Sequence, residues 1–314
     1  MNTHLNPVPE SSPESQGSAP PLMSATRPLY WSVRRELWEN RSIYMAPLAA
    51  SAVYMLGFLI SLAWVPHHLR HLASPDPAHP LTLLAMNYAH AGMLLTLTAF
   101  LVGIFYSLDA LHGERRDRSI LFWKSLPVSD LITVLSKASI ALAVLPALVF
   151  VLTVPLQIAM RMLTTAALLV SGGNVAAEWT LPLFQMQVGL LYGLIVLALW
   201  HAPIYCWFLL VSGWARRATF LWAVLPPLAI VAIEYIAFRT SYLGSLLKDR
   251  VFGFAEAAFD LTDKNGVPID AHFIPLTQLA PGRFLSSPGL WLGLAFAVVF
   301  LGAAVRLRRD QGPI

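Results

Sequence analysis

Six long apolar runs constrain this chain more than any other feature of its sequence. They are Ile43–Trp64, Tyr88–Leu108, Ala138–Met160, Val188–Val211, Thr219–Phe238 and Gly289–Val305. A membrane-spanning helix needs about 20 apolar residues, whereas a barrel strand needs about 10 and alternates with period two. The runs show no such alternation. They therefore predict an all-α membrane protein with six transmembrane helices.

The composition supports the same class. Of 314 residues, 57% are hydrophobic and only 12% are charged, whereas soluble domains carry roughly 25% charged residues. The single cysteine, Cys206, lies inside an apolar run. An intramolecular disulfide and a cysteine-based metal site are therefore excluded.

The distribution of basic residues predicts the orientation. Two-thirds of the 21 lysine and arginine residues fall in the N-terminal segment, the second and fourth connections and the C-terminus. Membrane proteins keep their short basic connections in the cytoplasm. Both termini are therefore predicted to be cytoplasmic.

The chain divides into a tail and one domain. Residues 1–26 are rich in proline and serine and have few large apolar side chains, which predicts a disordered cytoplasmic tail. Residues 27–310 hold the six spans and form the transmembrane domain.

An amphipathic segment precedes the first span. Leu29, Val33 and Leu37 recur every four residues, and Trp31 and Trp38 accompany them. This pattern predicts a helix in the cytoplasmic membrane interface, with the tryptophans at headgroup level. The alternative is a plain cytoplasmic extension of the first span.

A long extracytoplasmic loop, residues 239–288, separates the fifth and sixth spans. Leu247, Val251, Phe254 and Ala258 keep helical spacing, which predicts an amphipathic helix on the bundle or at the outer surface. The later Asn265-Gly266 suggests a calcium loop only weakly, because Leu261 stands where that loop needs an acidic residue. We expect a tight turn there instead.

The sequence lacks the motifs of several common binding and catalytic sites. It contains no P-loop, no H-E-x-x-H and no G-x-S-x-G motif, and we predict no catalytic residue, metal site, cofactor or nucleic-acid partner. His67, His68 and His71 cluster after the first span without acidic support, so a solvated loop is favoured over a metal site. His90 and His201 lie within spans, where a lone histidine usually bonds a neighbouring helix.

Glu234 is the one acidic residue inside an apolar run. An intramembrane charge is a candidate functional group, so Glu234 could line a transport path. Its predicted position near the outer end of the fifth span also allows pairing with Arg239 or Arg161, or contact with water.

The connection Asp109–Lys137 is longer than two antiparallel membrane helices need. Glu114 and Arg118 have the i, i+4 spacing of a helical ion pair, and Pro127 is expected to end that helix. Ser129 can cap a following helix that runs into the third span. The pattern predicts a helix–turn–helix that docks on a partner; the alternative is a loop whose arginines only satisfy the inside-positive rule.

This connection resembles that of ABC-2 type transporter permeases. The matching residues are Gly113-Glu114-Arg115-Arg116, Ser119-Ile120-Leu121, Ser125-Leu126-Pro127-Val128-Ser129 and Ser136-Lys137. Arg34-Arg35-Glu36-Leu37 is similar to the family's interfacial helix, and the likeness spans roughly residues 28–310. Arg118-Ser119 departs from the Gly-Thr that the family often has there.

The resemblance implies the membrane subunit of an exporter in a bacterial inner membrane. The permease would pair with a second copy or a paralogue and with ABC ATP-binding subunits on the cytoplasmic face, which would carry the ATP and Mg²⁺. The residues that would contact the ATPase are Glu114, Arg115, Arg116, Arg118, Trp123, Lys124 and Pro127. A secondary carrier, or another polytopic six-span membrane protein without an ATPase partner, is the alternative.

Overall fold

The computed structural model describes residues 26–71, 78–125, 128–171, 175, 179–260 and 276–310. The predicted disorder of the tail, the predicted turn at Asn265 and the expected break at Pro127 lie outside these residues. The described residues are almost entirely helical, and their only β-pairing is an isolated bridge between Phe259 and Leu279.

Thirteen α-helices make up the described fold. They are α1 Thr26–Glu39, α2 Ser42–His71, α3 Ala78–Asp109, α4 His112–Arg116, α5 Ser119–Ser125, α6 Asp130–Ser139, α7 Leu145–Ser171, α8 Leu183–Trp214, α9 Thr219–Phe238, α10 Tyr242–Phe252, α11 Phe254–Ala258, α12 Pro281–Ser286 and α13 Pro288–Asp310. A π-helical segment, Ile140–Val144, joins α6 to α7.

Six segments are long and apolar enough to cross a membrane. They are Ser42–Leu62, Ala85–Arg116, Asp130–Val170, Leu183–Trp214, Thr219–Phe238 and Pro288–Asp310. The all-α membrane class is confirmed, and each segment contains or closely overlaps one predicted run. The third is much longer than the predicted Ala138–Met160, because its polar first turns are also helical.

The third span contains the fold's main helical irregularity. Pro146 has no N–H to donate to the preceding turn, and the π-helical segment Ile140–Val144 lies directly before it. A π-turn shifts the hydrogen-bond pattern by one residue. The span therefore stays helical across Pro146, and it contains a second proline, Pro155.

Helix α8 is the centre of the bundle. Its buried residues include Leu194 and Leu209 in the main core cluster, and it packs against α3, α7 and α13. By contrast, Ala223 is the only buried residue of α9. The large apolar side chains on the outside of α9 and α2 suit hydrocarbon surroundings.

The outer-loop helices pack against the middle of α8. Val251 O lies 3.1 Å from His201 Nε2, and Trp200 Nε1 donates to Asp249 O. Tyr192 donates its hydroxyl proton to Ala258 O. The predicted helix is thus split into α10 and α11, and it packs on the bundle. His201 makes the inter-helix contact expected of a lone membrane histidine.

Candidate functional site

One end of the bundle, which we call the basic end, holds α1, the α4–α6 connection, the α8–α9 turn and the end of α13. Six ionisable side chains and a tyrosine form a largely buried ionic cluster there. Its members are Arg35, Glu36, Tyr106, Glu114, Asp130, Lys137 and Arg308. Its three cations balance its three carboxylates.

Glu36 is the innermost acid of the ionic cluster, with 0% of its surface exposed. One carboxylate oxygen accepts from Arg35 at 2.7 Å and from Lys137 Nζ at 2.9 Å, and the other accepts from the Tyr106 hydroxyl at 2.8 Å. Burial alone would raise the pKa of Glu36, but Lys137, Arg35 and the hydrogen bonds together hold that pKa below its ordinary value. Glu36 is therefore an anion in the folded protein.

Glu114 joins the connection between the second and third spans to the rest of the ionic cluster. Its Oε1 lies 3.1 Å from both Arg35 and Lys137 Nζ, and its Oε2 lies 3.3 Å from Arg308. Arg308 also pairs with Asp130, in the first turn of α6. The ionic cluster thereby ties together α1, α4, α6 and α13.

Helix α4 is also held against the last residues of α8. Ser212 Oγ accepts from the backbone N–H groups of Leu111 and His112, both at 2.9 Å. Arg115 donates to Gly213 O at 2.5 Å. These bonds satisfy donors at the start of α4, which helices otherwise leave unpaired.

Helix α5 carries the exposed part of this region. Ile120 is buried, but Leu121 and Phe122 keep 58% and 60% of their surfaces exposed. Trp123 lies beneath the Arg35 guanidinium, 3.8 Å from its ring centroid, a cation–π contact. We call Leu121 and Phe122, together with the exposed basic residues Arg116, Arg118 and Lys124, the α5 surface.

The structure separates the predicted contact residues into two groups. Arg116, Arg118 and Lys124 are exposed, and Trp123 is half-buried. Glu114 and Arg115 are buried by contacts within the chain, so they support the α5 surface from behind. Pro127 lies outside the described residues.

The expected ion pair between Glu114 and Arg118 is wrong. Helix α4 ends at Arg116, and Arg118 adopts a left-handed backbone with φ 58°. Glu114 instead points towards Arg35, Lys137 and Arg308, of which the last two are buried. A carboxylate is stabilised more by several desolvated partners than by one exposed arginine.

The sequence analysis did not predict that Arg35, Glu36 and Arg308 take part in an ionic cluster inside the bundle. Glu36 lies three residues after Val33 and beside Leu37. That spacing places it on the apolar face of α1. A charge on the apolar face was the signal that could have found the ionic cluster.

Glu234 has a local structural role at the opposite end. Its carboxylate accepts from Tyr242 N at 2.6 Å, Leu243 N at 2.9 Å and the Thr240 hydroxyl at 3.0 Å. It therefore caps the start of α10. Arg239 stacks on Tyr235, and Arg161 stacks on Trp179. A role for Glu234 in a transport path stays a prediction.

Among the described residues, no group of three His, Cys, Asp or Glu side chains could hold a metal ion. Comparison with known proteins gives no family. No protein-family model matches the sequence, and neither a curated protein nor a solved structure matches it. The resemblance to ABC-2 permeases therefore rests on the residues quoted above.

Proposed function

We propose that this chain is the permease subunit of an ABC-2 type exporter in a bacterial inner membrane. Both termini and the basic end face the cytoplasm. A separate ATP-binding subunit docks on the α5 surface, and a second permease copy or a paralogue completes the membrane path. The observation that carries the proposal is the connection of the exposed α5 surface to three membrane spans through the ionic cluster.

The α5 surface has the chemistry of a protein-docking site. Leu121 and Phe122 offer exposed apolar area, and Arg116, Arg118 and Lys124 surround it with positive charge. Interfaces commonly combine an aromatic anchor with a polar rim, and arginine is enriched in them. We expect the ATPase to present an apolar groove with acidic residues at its edge.

The ionic cluster mechanically links the α5 surface to the membrane spans. Force on α5 reaches Glu114 through the short α4–α5 turn, and Glu114 contacts Arg35 of α1, Lys137 of the third span and Arg308 of the last span. Ion pairs that are desolvated and multiply bonded resist separation more than exposed pairs. These helices therefore move as one unit when the partner closes on ATP.

The test is co-purification of the tagged chain with its candidate ATPase, combined with ATP-dependent export in vesicles. Arg116→Glu/Arg118→Glu reverses two exposed charges and leaves the ionic cluster intact. We expect this variant to lose most of the bound ATPase and most of the export. Reversal at the buried Arg115 would be less informative, because it would also disturb α8.

Arg217→Glu is the matched control. Arg217 is an exposed arginine at the same end, in the α8–α9 turn and outside the α5 surface, so we expect normal ATPase binding. If no ATPase co-purifies with the wild-type chain, or if the double reversal leaves binding unchanged, the proposal fails. Transport driven by an ion gradient without ATP would identify the secondary carrier instead.

A further inference from the structure

A cavity of about 520 Å³ lies between α3, α7, α8 and the outer-loop segment. Its volume falls in the range of ligand pockets, about 300–1,000 Å³. The walls are apolar and include Leu97, Phe100, Leu194 and Phe254. Among the described residues that line it, none is an acid, a lysine or an arginine.

The cavity opens sideways among the membrane spans. Met93, Leu97 and Phe252 line it, and they keep 69%, 50% and 69% of their surfaces exposed. Met93 and Leu97 belong to the membrane-spanning part of α3. The medium in contact with this mouth is therefore lipid hydrocarbon, which is available to fill an apolar cavity.

One end of the cavity has hydrogen-bonding capacity. Gln157 donates to Tyr88 O at 2.8 Å, and Gln187 donates to the Gln157 side-chain oxygen. Of these two amides, only Gln157 is a lining residue of the cavity. A carbonyl oxygen has two lone pairs, so the Gln157 side-chain oxygen, which already accepts from Gln187, can accept a second bond from a ligand.

The distance along the cavity matches one lipid chain. Tyr88, which bonds Gln157, and Phe100, which packs on His201, line the two ends of the cavity. Both are on α3, twelve positions and therefore about 18 Å apart at 1.5 Å per residue. Half of a bilayer core is about 15 Å thick. The cavity thus extends about as far as a single chain from one leaflet.

We propose that the cavity binds a neutral single-chain amphiphile from one leaflet, which is the outer leaflet in the orientation of the proposed function. Its hydrocarbon chain lies along Met93, Leu97 and Phe100, and its hydroxyl-bearing head donates to the Gln157 side-chain oxygen. The absence of charged lining residues selects against phosphate and carboxylate heads, because a charge there would be desolvated without a partner. This site belongs to the membrane chain itself and does not depend on an ATPase.

The experiment uses the full-length protein in vesicles and a monoacylglycerol with a photoreactive diazirine in mid-chain. Labelled peptides are identified by mass spectrometry. We expect labels on the α3 segment around Met93–Phe100 and on Phe252. A lysophosphatidic acid with the same chain should label these peptides at least fivefold less.

Gly193→Leu fills the cavity, and a Cβ at Gly193 meets only Phe259 at 3.6 Å. We expect labelling to fall at least fivefold. Gly302→Leu is the matched control, because a Cβ there has nothing within 4 Å, and labelling should stay at the wild-type level. Should Gly193→Leu not fold, Leu97→Trp blocks the mouth, and Leu101→Trp, on the same helix outside the cavity, replaces the control.

Equal labelling of Gly193→Leu and Gly302→Leu would overturn the proposal. So would labels confined to the outer faces of α2 and α9, or equal labelling by the two probes. Absence of labelling on the α3 segment in the wild type would overturn the proposal as well. None of these outcomes bears on ATPase binding, which is measured separately.

Discussion

At the residue scale, the ionic cluster contributes more to geometry than to net stability. Desolvating paired charges offsets much of their mutual attraction, so a buried ion pair is often no more stabilising than apolar residues of the same size. Removing one partner is different, because it leaves a buried charge without compensation. Lys137 is a clear case, since its side chain is 3% exposed and contacts both Glu36 and Glu114.

Lys137→Met is expected to lower the free energy of unfolding by about 3–5 kcal/mol, the usual cost of breaking a buried pair. Thermal unfolding in detergent measures the change. Lys124→Met replaces an exposed lysine of the same region and should change the free energy of unfolding little. Adding Glu36→Gln to Lys137→Met should recover part of the loss, since one of the two carboxylates that lost the lysine is then neutral. An additive double variant would contradict the direct pairing.

The pKa of Glu36 predicts a dependence of stability on pH. Because the folded-state pKa is lowered, the folded protein favours the ionised carboxylate. That stabilisation is fully present above the unfolded value of about 4.3 and is lost as the pH falls through the folded value. Melting temperatures between pH 7 and pH 3 should fall less steeply for Glu36→Gln than for the wild type, and parallel curves would contradict this account.

At the element scale, the short helices α4 and α5 have different roles: α5 offers a contact surface, and α4 supports it. Helix α5 exposes its apolar side chains, whereas α4 buries Glu114 and Arg115 against other helices. Helix α6 then begins the third span at Asp130, where Ser129 Oγ accepts from Ile132 N at 3.3 Å. Asp130 in this first turn favourably meets the positive end of the helix dipole.

Ser129→Ala removes this cap and should cost about 1 kcal/mol. Ser129→Asp keeps an acceptor at the same position and should retain most of the stability. Ser125→Ala, at the end of α5, is the control, since Ser125 Oγ bonds only within its own exposed turn. Chemical or thermal unfolding of the three variants checks their order of stability. Equal losses of stability for all three would exclude a capping role.

At the scale of the whole molecule, α1, the α4–α6 connection, the α8–α9 turn and the end of α13 meet at one end. The direct contacts are between His112 and Ala215, and between Lys124 and Arg309. An even number of spans requires the two termini to lie on the same side. The arrangement is therefore consistent with six crossings, and the basic residues predict which side is cytoplasmic.

Cysteine accessibility tests that orientation. Cys206 is 1% exposed and should not react with a membrane-impermeant maleimide, so the wild type supplies the background. Ser286→Cys at the outer end should react in intact cells, and Ser125→Cys on α5 only after permeabilisation. The reverse pattern would invert the topology and place the α5 surface outside the cytoplasm.

The sequence alone determined the fold class and the approximate spans. Crossing hydrocarbon requires a long run of apolar residues with internally bonded backbone, and that requirement is local and additive along the chain. The cap at Ser129 followed from equally local rules. Boundaries were less predictable, because polar turns such as Asp130–Lys137 are helical only where partners neutralise their charges.

Only the tertiary structure decided which charges are partners. Glu36, Glu114 and Arg308 are distant in sequence, and nothing in their immediate surroundings shows that they share one buried cluster. The same applies to the cavity, since each apolar residue of α3 could face lipid, protein or ligand equally well. Long-range packing settles these questions because it determines what each side chain meets after the chain has folded.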